Sequence, residues 1–139
     1  MNTGPIIIIE DDIDDQEVIT TVLASIDIPN KAVFFNNGQE ALHFLQTEDV
    51  HPFVILSDVN MPVMNGFELR KQISKDPQLC KRSIPFVFYT TSSDEKSVDT
   101  AYDLTVQGFF IKPPDIDSLT RMLKAILEYW KYCVHPNSH

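Results

Sequence analysis

The stretch Pro5-Ile6-Ile7-Ile8-Ile9-Glu10-Asp11-Asp12 decides the fold of this chain. A run of β-branched residues favours a strand, and an apolar run with no polar alternation marks a strand covered on both faces. The run ends abruptly in acid. From about Asp14 to Ile26, Val18, Ile19, Val22, Leu23 and Ile26 then recur at helical spacing. This strand-to-helix step repeats along the chain. Lys31–Phe35 is a second short strand, and Asn37-Gly38-Gln39-Glu40 opens a helix in which Asn37 caps and Glu40 closes a capping box. Ala41, Leu42 and Leu45 supply its buried face. Phe53–Ser57 is a third strand, followed by a helix from Gly66 to Ser74 with Phe67, Leu69 and Ile73 apolar. Ile84–Tyr89 is a fourth strand, and Ser92-x-x-Glu95 suggests a capping box that opens a helix through about Asp103. Val106–Ile111 is the fifth strand. The last helix, about Asp115 to Trp130, carries Leu119, Met122, Leu123, Ile126, Leu127 and Trp130 as a broad stripe.

Strand and helix thus alternate five times, which with right-handed crossovers gives an α/β doubly wound parallel sheet. The 139 residues and 15.9 kDa are one domain's worth of chain, with a core expected from about residue 5 to 130 and a tail at 131–139. No linker or repeat divides it, and no room for a separate effector domain is expected. Lys plus Arg is 11 against 20 Asp plus Glu, a net charge of −9, which argues against nucleic acid as a partner. The longest apolar run is far short of the ~20 residues that a membrane span needs, and no signal-like segment opens the chain. The two cysteines, Cys80 and Cys133, make no disulfide framework, so a cytoplasmic protein with reduced thiols is expected.

In such a sheet, ligands bind beyond the carboxyl ends of the strands. Glu10, Asp11 and Asp12 follow the first strand, Asp58 the third, Thr90 and Thr91 end the fourth, and Lys112 follows the fifth. Carboxylates ~4 Å apart repel by roughly 1 kcal/mol in water and ~4 kcal/mol at a protein surface, so they stay ionised together only beside a counter-charge. A hard divalent cation suits their oxygens, and Mg²⁺ pairs one or two carboxylates with phosphate. Asp58 can then act as a nucleophile toward a phosphoryl group and form an aspartyl phosphate. The Lys112 ammonium and the Thr90 hydroxyl would meet the equatorial oxygens.

These residues resemble the receiver domains of two-component response regulators, here as a stand-alone receiver. The motifs are Ile6-Ile7-Ile8-Ile9-Glu10-Asp11-Asp12, Ser57-Asp58-Val59-Asn60-Met61-Pro62-x-Met64-Asn65-Gly66, Tyr89-Thr90-Thr91 and Gly108-Phe109-Phe110-Ile111-Lys112-Pro113, and they span nearly the whole chain. The resemblance implies a flavodoxin-like three-layer α/β/α fold with strand order 2-1-3-4-5. It also implies Asp58 as phosphoacceptor, Asp11 as direct Mg²⁺ ligand, Glu10 acting through water, and the Asn60 backbone carbonyl completing the metal shell. Thr90 is similar to the family's switch hydroxyl, Lys112 to its lysine and Phe109 to its rotating aromatic, while Lys112-Pro113 resembles a cis peptide. The implied function is a phosphoacceptor signalling switch and not an enzyme, with at most slow self-catalysed phosphorylation and dephosphorylation. The implied partners are a sensor histidine kinase or histidine phosphotransfer protein and a downstream protein, with a homodimer through the fourth helix, fifth strand and fifth helix as a further expectation. Asn65 stands where the family often has Asp, and Thr91 where it often has Ala or Gly. Asp76 to Pro85 reads as a longer loop than usual, similar to that of small receivers paired with phytochrome-type kinases.

Singly, the same residues have plainer explanations. Asp11 or Asp12 can be a helix cap, Thr90 a strand-end residue, Lys112 a solvated side chain and Phe109 rim packing. His43, His51, His135 and His139 lack metal-ligand spacing. A haloacid-dehalogenase-type phosphatase would need a second Asp two positions after Asp58, where Asn60 stands. A scaffold-only pseudo-receiver should lack one of the acidic, Thr or Lys residues, and a flavin module would want a phosphate loop where Glu10-Asp11-Asp12 would repel it.

Overall fold

A computed structural model describes residues 3–91 and 94–134. In chain order the elements are β1 (Ile6–Ile9), α1 (Ile13–Ala24), β2 (Ala32–Phe35), α2 (Gly38–Thr47), β3 (Val54–Ser57), α3 (Gly66–Lys75), α4 (Pro77–Arg82), β4 (Phe86–Thr90), α5 (Glu95–Asp103), β5 (Gly108–Ile111) and α6 (Ile116–Tyr132). The strands form a five-stranded parallel sheet in the order β2-β1-β3-β4-β5, the expected flavodoxin-like topology. β1 pairs on both sides and is covered on both faces, so its four isoleucines are fully buried. Burial of each such side chain is worth ~1.5–3 kcal/mol.

Strand alternation divides the core into two layers. Ile7, Ile9, Ile55, Phe86 and Phe88 pack with Ala41, Leu45, Leu69, Ile73, Leu79 and Ala101, the buried faces of α2, α3, α4 and α5. Ile6, Ile8, Leu56, Val87 and Tyr89 pack with Ile19, Val22, Leu119, Leu123, Ile126 and Leu127 of α1 and α6. This is the three-layer arrangement.

Several local expectations change. Asp76 to Pro85 is not a plain loop: α4 occupies it, with Asp76 Oδ1 accepting from the Gln78 and Leu79 N–H groups and Pro77 at the first helical position. Leu79 buries this short helix, and Arg82 donates to the Leu45 and Val50 carbonyls, so the segment is tied to the core. The cap of α5 is Asp94, which accepts from Ser97 N–H; Ser92 lies outside the described residues. In α2 the Asn37 cap holds, but Glu40 reaches the N–H of Asn36 instead of Asn37. The complete capping box belongs to α3, between Asn65 and Glu68. α1 stops at Ala24, although Ile26 still packs on the core, and α6 runs past Trp130 to Tyr132. No peptide bond among the described residues is cis, so Lys112-Pro113 is trans, the form favoured by ~0.5–1 kcal/mol before proline.

The loop from Asp58 to α3 is held tightly. Gly66 N–H donates to the Val59 carbonyl at 2.9 Å, and a Cβ at Gly66 would lie 2.3 Å from the Asp58 carbonyl oxygen and 2.7 Å from the Phe88 ring. Val63, within this loop, takes φ 67°, a conformation that a β-branched residue rarely adopts, so local strain is stored three residues before the helix start. Gly66→Ala should therefore destabilise the protein by about 1–3 kcal/mol in denaturant melts, because the obstructing atom is backbone and cannot rotate away. A second expectation concerns pH. Asp115 caps α6 by accepting from the N–H and Oγ of Ser118, and the N–H bond first of all holds its carboxyl below the ordinary value. The resulting stability is present above the unfolded carboxylate value near pH ~4 and is lost as pH falls through the lower folded value. Asp115→Ala should lower the melting temperature at pH 7, with the gap to the parent shrinking as the pH drops below the ordinary carboxylate range.

Candidate functional site

Parallel pairing brings the carboxyl ends of the strands to one rim. Glu10 N–H donates to the Phe35 carbonyl at 2.9 Å, Asp58 N–H to the Ile9 carbonyl at 3.0 Å, and Lys112 N–H to the Thr90 carbonyl at 2.8 Å. Residues just past β1, β3 and β5 are thereby locked to the neighbouring strand. Asp12 leaves the rim to cap α1, accepting from the Asp14 and Asp15 N–H groups at 2.8 and 3.2 Å. The plainer reading of an acid here is correct for Asp12.

Glu10 is fully buried. Its Oε1 accepts from the Tyr89 hydroxyl at 2.9 Å and from the Lys112 ammonium, and its Oε2 accepts from Asp12 N–H at 3.1 Å. Burial pushes its carboxyl above the ordinary value, opposed by Lys112, the Asp12 N–H and Tyr89. Tyr89 is itself pushed up, by burial and then by the Glu10 charge, so it stays a neutral donor. Asp58 Oδ1 accepts from Val59 N–H at 2.7 Å and Asn60 N–H at 3.4 Å, while Oδ2 faces Lys112 Nζ at 3.0 Å.

Lys112 joins these groups. Its ammonium contacts Glu10, Asp15 and Asp58, and it lies 4.9 Å from the centroid of the Tyr89 ring. Burial alone would lower its proton affinity, but the hydrogen bonds to Glu10, Asp15 and Asp58 outweigh burial and hold it above the ordinary lysine value. The plainer reading of Lys112 as a solvated side chain fails. Ligand oxygens of Glu10, Asp11 and Asp58 all lie within 4.8 Å of one another. Asp11 is exposed and, unlike Glu10 and Asp58, forms no ion pair with Lys112. Oxygen donors with one carboxylate open to solvent fit a hard divalent cation.

Thr90 is buried on the opposite face of the sheet from Tyr89. Phe109 is half-buried on that same face, its ring centroid 6.2 Å from that of Phe88. Asn60 is exposed in the loop beyond Asp58. Among the sequence candidates, Glu10, Asp11, Asp58 and Lys112 therefore converge, and Thr90 flanks them. Sequence reasoning missed two members, Tyr89 and Asp15. Strand parity could have found Tyr89, which is at an even position of β4 together with Val87 and so projects toward the same layer as Glu10.

Residues 6–124 match the response regulator receiver domain. The chain belongs to that family. Response regulator Rcp1 of Synechocystis is 30% identical over 130 residues, covering 90% of this chain and 87% of that protein. The probable methanogenesis regulatory protein FilR2 of Methanothrix harundinacea is 28% identical, covering 90% of this chain and 82% of that one. The structure of the phosphorylated cyanobacterial phytochrome response regulator RcpA superposes with a TM-score of 0.84 at 31% identity, covering 94% of this chain and 96% of that one. The Mn²⁺-bound form of Rcp1 gives 0.81 at 29% identity, with the same coverage. Receiver domains of response regulators act as phosphoacceptor signalling switches that work with histidine kinases or phosphotransfer proteins. No described helix is long and apolar enough to cross a membrane.

The geometry makes Lys112 the counter-charge of the cluster. Lys112→Met should destabilise the protein by about 1–3 kcal/mol in metal-free buffer, because Glu10 is left buried without its ionic partner. Adding Glu10→Gln should recover part of the loss in the same denaturant melts.

Proposed function

We propose that this receiver takes a phosphoryl group from the phosphohistidine of a histidine kinase or histidine phosphotransfer protein onto Asp58. The observation that carries the reading is Asp58 itself: a side chain 11% exposed, with one oxygen on Lys112 and its carboxylate within 4.8 Å of Glu10 and Asp11 oxygens. An Asp58 oxygen attacks phosphorus, a new O–P bond forms, and the P–N bond to the donor imidazole breaks with its electron pair leaving on nitrogen. Mg²⁺ is the cation we assign: Asp11, Asp58 and the Asn60 backbone carbonyl would hold it, and it would supply charge neutralisation between carboxylate and phosphoryl group. Both oxygens of Glu10 already accept protein hydrogen bonds, which suits contact with the cation through water and not directly.

Lys112 neutralises one phosphoryl oxygen and the Thr90 hydroxyl donates to another. Movement of Thr90 toward the phosphoryl group opens space on the face it shares with Phe109. The surface so altered is α5, β5 and α6, the fourth and fifth helices of the sequence reading renumbered by the presence of α4. A downstream protein or a second copy would read that surface. The chain acts as a switch and not as a turnover enzyme; Asn60 stands where a phosphatase of the dehalogenase type needs its acid/base. RcpA is described as a phytochrome response regulator, which makes a phytochrome-type kinase the first phosphodonor to try. A cytoplasmic setting suits the two free cysteines.

Incubation with acetyl phosphate and Mg²⁺ should add one phosphoryl group by intact mass, and Asp58→Asn or excess chelator should abolish the addition. Mg²⁺ should also raise the melting temperature of the parent by mass action on the native state, and do so less in Asp11→Asn. Undiminished labelling of the Asp58→Asn protein sinks the assignment.

A further inference from the structure

The three carboxylates around Lys112 are not equivalent. An ammonium has three N–H donors, and Glu10, Asp15 and Asp58 each accept from it. Glu10 and Asp58 belong with Asp11 to the cluster that fits a cation. Asp15 does not: it lies in the first turn of α1, half-exposed, with Oδ2 3.0 Å from Lys112 Nζ. Phosphoryl transfer alters both of the other partners. A cation competes with Lys112 for the charge of Glu10 and Asp58, and formation of the O–P bond turns one Asp58 carboxylate oxygen into the bridging oxygen of an acyl phosphate. Only the contact with Asp15 is left unchanged by either event.

A lysine side chain has a flexible four-carbon stem, so an ammonium that loses its partners loses its place. Lys112 has the Tyr89 ring on one side, 4.9 Å from Nζ, but a ring face fixes no direction for the N–H groups. Asp15 does. We propose that Asp15 is a positioning residue for phosphoryl transfer: it keeps the Lys112 ammonium beside Asp58 while metal and phosphoryl group engage Glu10 and Asp58. The inference rests on the reading of Asp58 as phosphoacceptor. Asp15 touches neither phosphorus nor the cation; it acts through Lys112, sparing the transition state the cost of relocating a charged group.

The test uses initial rates of phosphorylation by acetyl phosphate, followed by intact mass across a Mg²⁺ titration, in the parent, Asp15→Asn and Asp14→Asn. Asp14 is exposed in the same helical turn and forms no ion pair with Lys112, so its substitution removes the same charge from the same helix end without touching the positioning contact. Thermal melts give the folded fraction to which each rate is normalised. The plateau rate of Asp15→Asn should fall about two- to fivefold, the scale of one partly exposed ion pair. Its half-saturating Mg²⁺ concentration should match the parent, because Asp15 is not a ligand. Asp14→Asn should match the parent in both quantities. A plateau rate in Asp15→Asn equal to or above the parent overturns the inference, as does equal slowing in Asp14→Asn, which would mean a general field effect. A shifted Mg²⁺ midpoint with an unchanged plateau also overturns it, by making Asp15 part of the metal shell. An unlabelled parent overturns the phosphoacceptor reading and this inference with it, whereas a labelled parent with an unaffected Asp15→Asn overturns this inference alone.

Discussion

The Glu10 carboxylate is fully buried at the end of the central strand, and the charged rim is organised around satisfying it. A carboxylate taken out of water costs several kcal/mol unless a counter-charge and hydrogen bonds replace its hydration. Here the replacement comes from three directions: the Lys112 ammonium after β5, the Tyr89 hydroxyl on β4 and the Asp12 N–H at the start of α1. Each donor is positioned by a different element. The sheet order matters for this reason, since β1 must lie between β2 and β3 for Glu10 to be covered, and β4 and β5 must follow β3 for Tyr89 and Lys112 to reach across.

Strand parity then sorts the rim by task. Glu10, Asp58, Tyr89 and Lys112 follow the alternation of Ile8, Leu56, Val87 and Phe110, the layer covered by α1 and α6. Thr90 and Phe109 follow Phe88, the layer covered by α2, α3, α4 and α5. The acid cluster and its ammonium are thus assembled toward one face, while the groups proposed to transmit the change belong to the other. Thr90 ends β4 where the two groups meet along the backbone, since it is paired with Ile111, one residue before Lys112.

This sorting also explains what could be read from the sequence. The continuous isoleucine run and the regular alternation of apolar segments specify a two-faced parallel sheet with little ambiguity, and acids directly after two of those runs locate the rim. Interactions between distant side chains are another matter. Nothing local distinguishes Asp15 from Asp14, since both are acids in the first turn of α1; only the reach of Lys112 from the far edge of the sheet separates them. Helix α4 was missed for a different reason. It is short and has a single buried residue, Leu79, too few for periodicity to register, yet Asp76-Pro77 is a strong start signal in its own right. The cap of α5 was misplaced because Ser92 and Asp94 are both good capping residues and Glu95 fits the box spacing only for the former.

Lys112 and a bound cation are, in electrostatic terms, partial substitutes for one another. A single ammonium compensates parts of Glu10, Asp15 and Asp58 together, leaving Asp11 without a share in it. On the proposed reading, a divalent cation at the acidic cluster would draw on the charge of Asp11 and Asp58 directly and of Glu10 through water, which would weaken the hold of Glu10 and Asp58 on Lys112 and free N–H groups for a phosphoryl oxygen. The two positive charges repel, so the ammonium needs an anionic anchor outside the metal's reach if it is to stay. The Asp15 carboxylate lies on the α1 side of Lys112, and its 3.0 Å contact would meet that requirement on the proposed reading. On that reading, binding of the cation would prepare Lys112 for its next partner without the side chain having to travel.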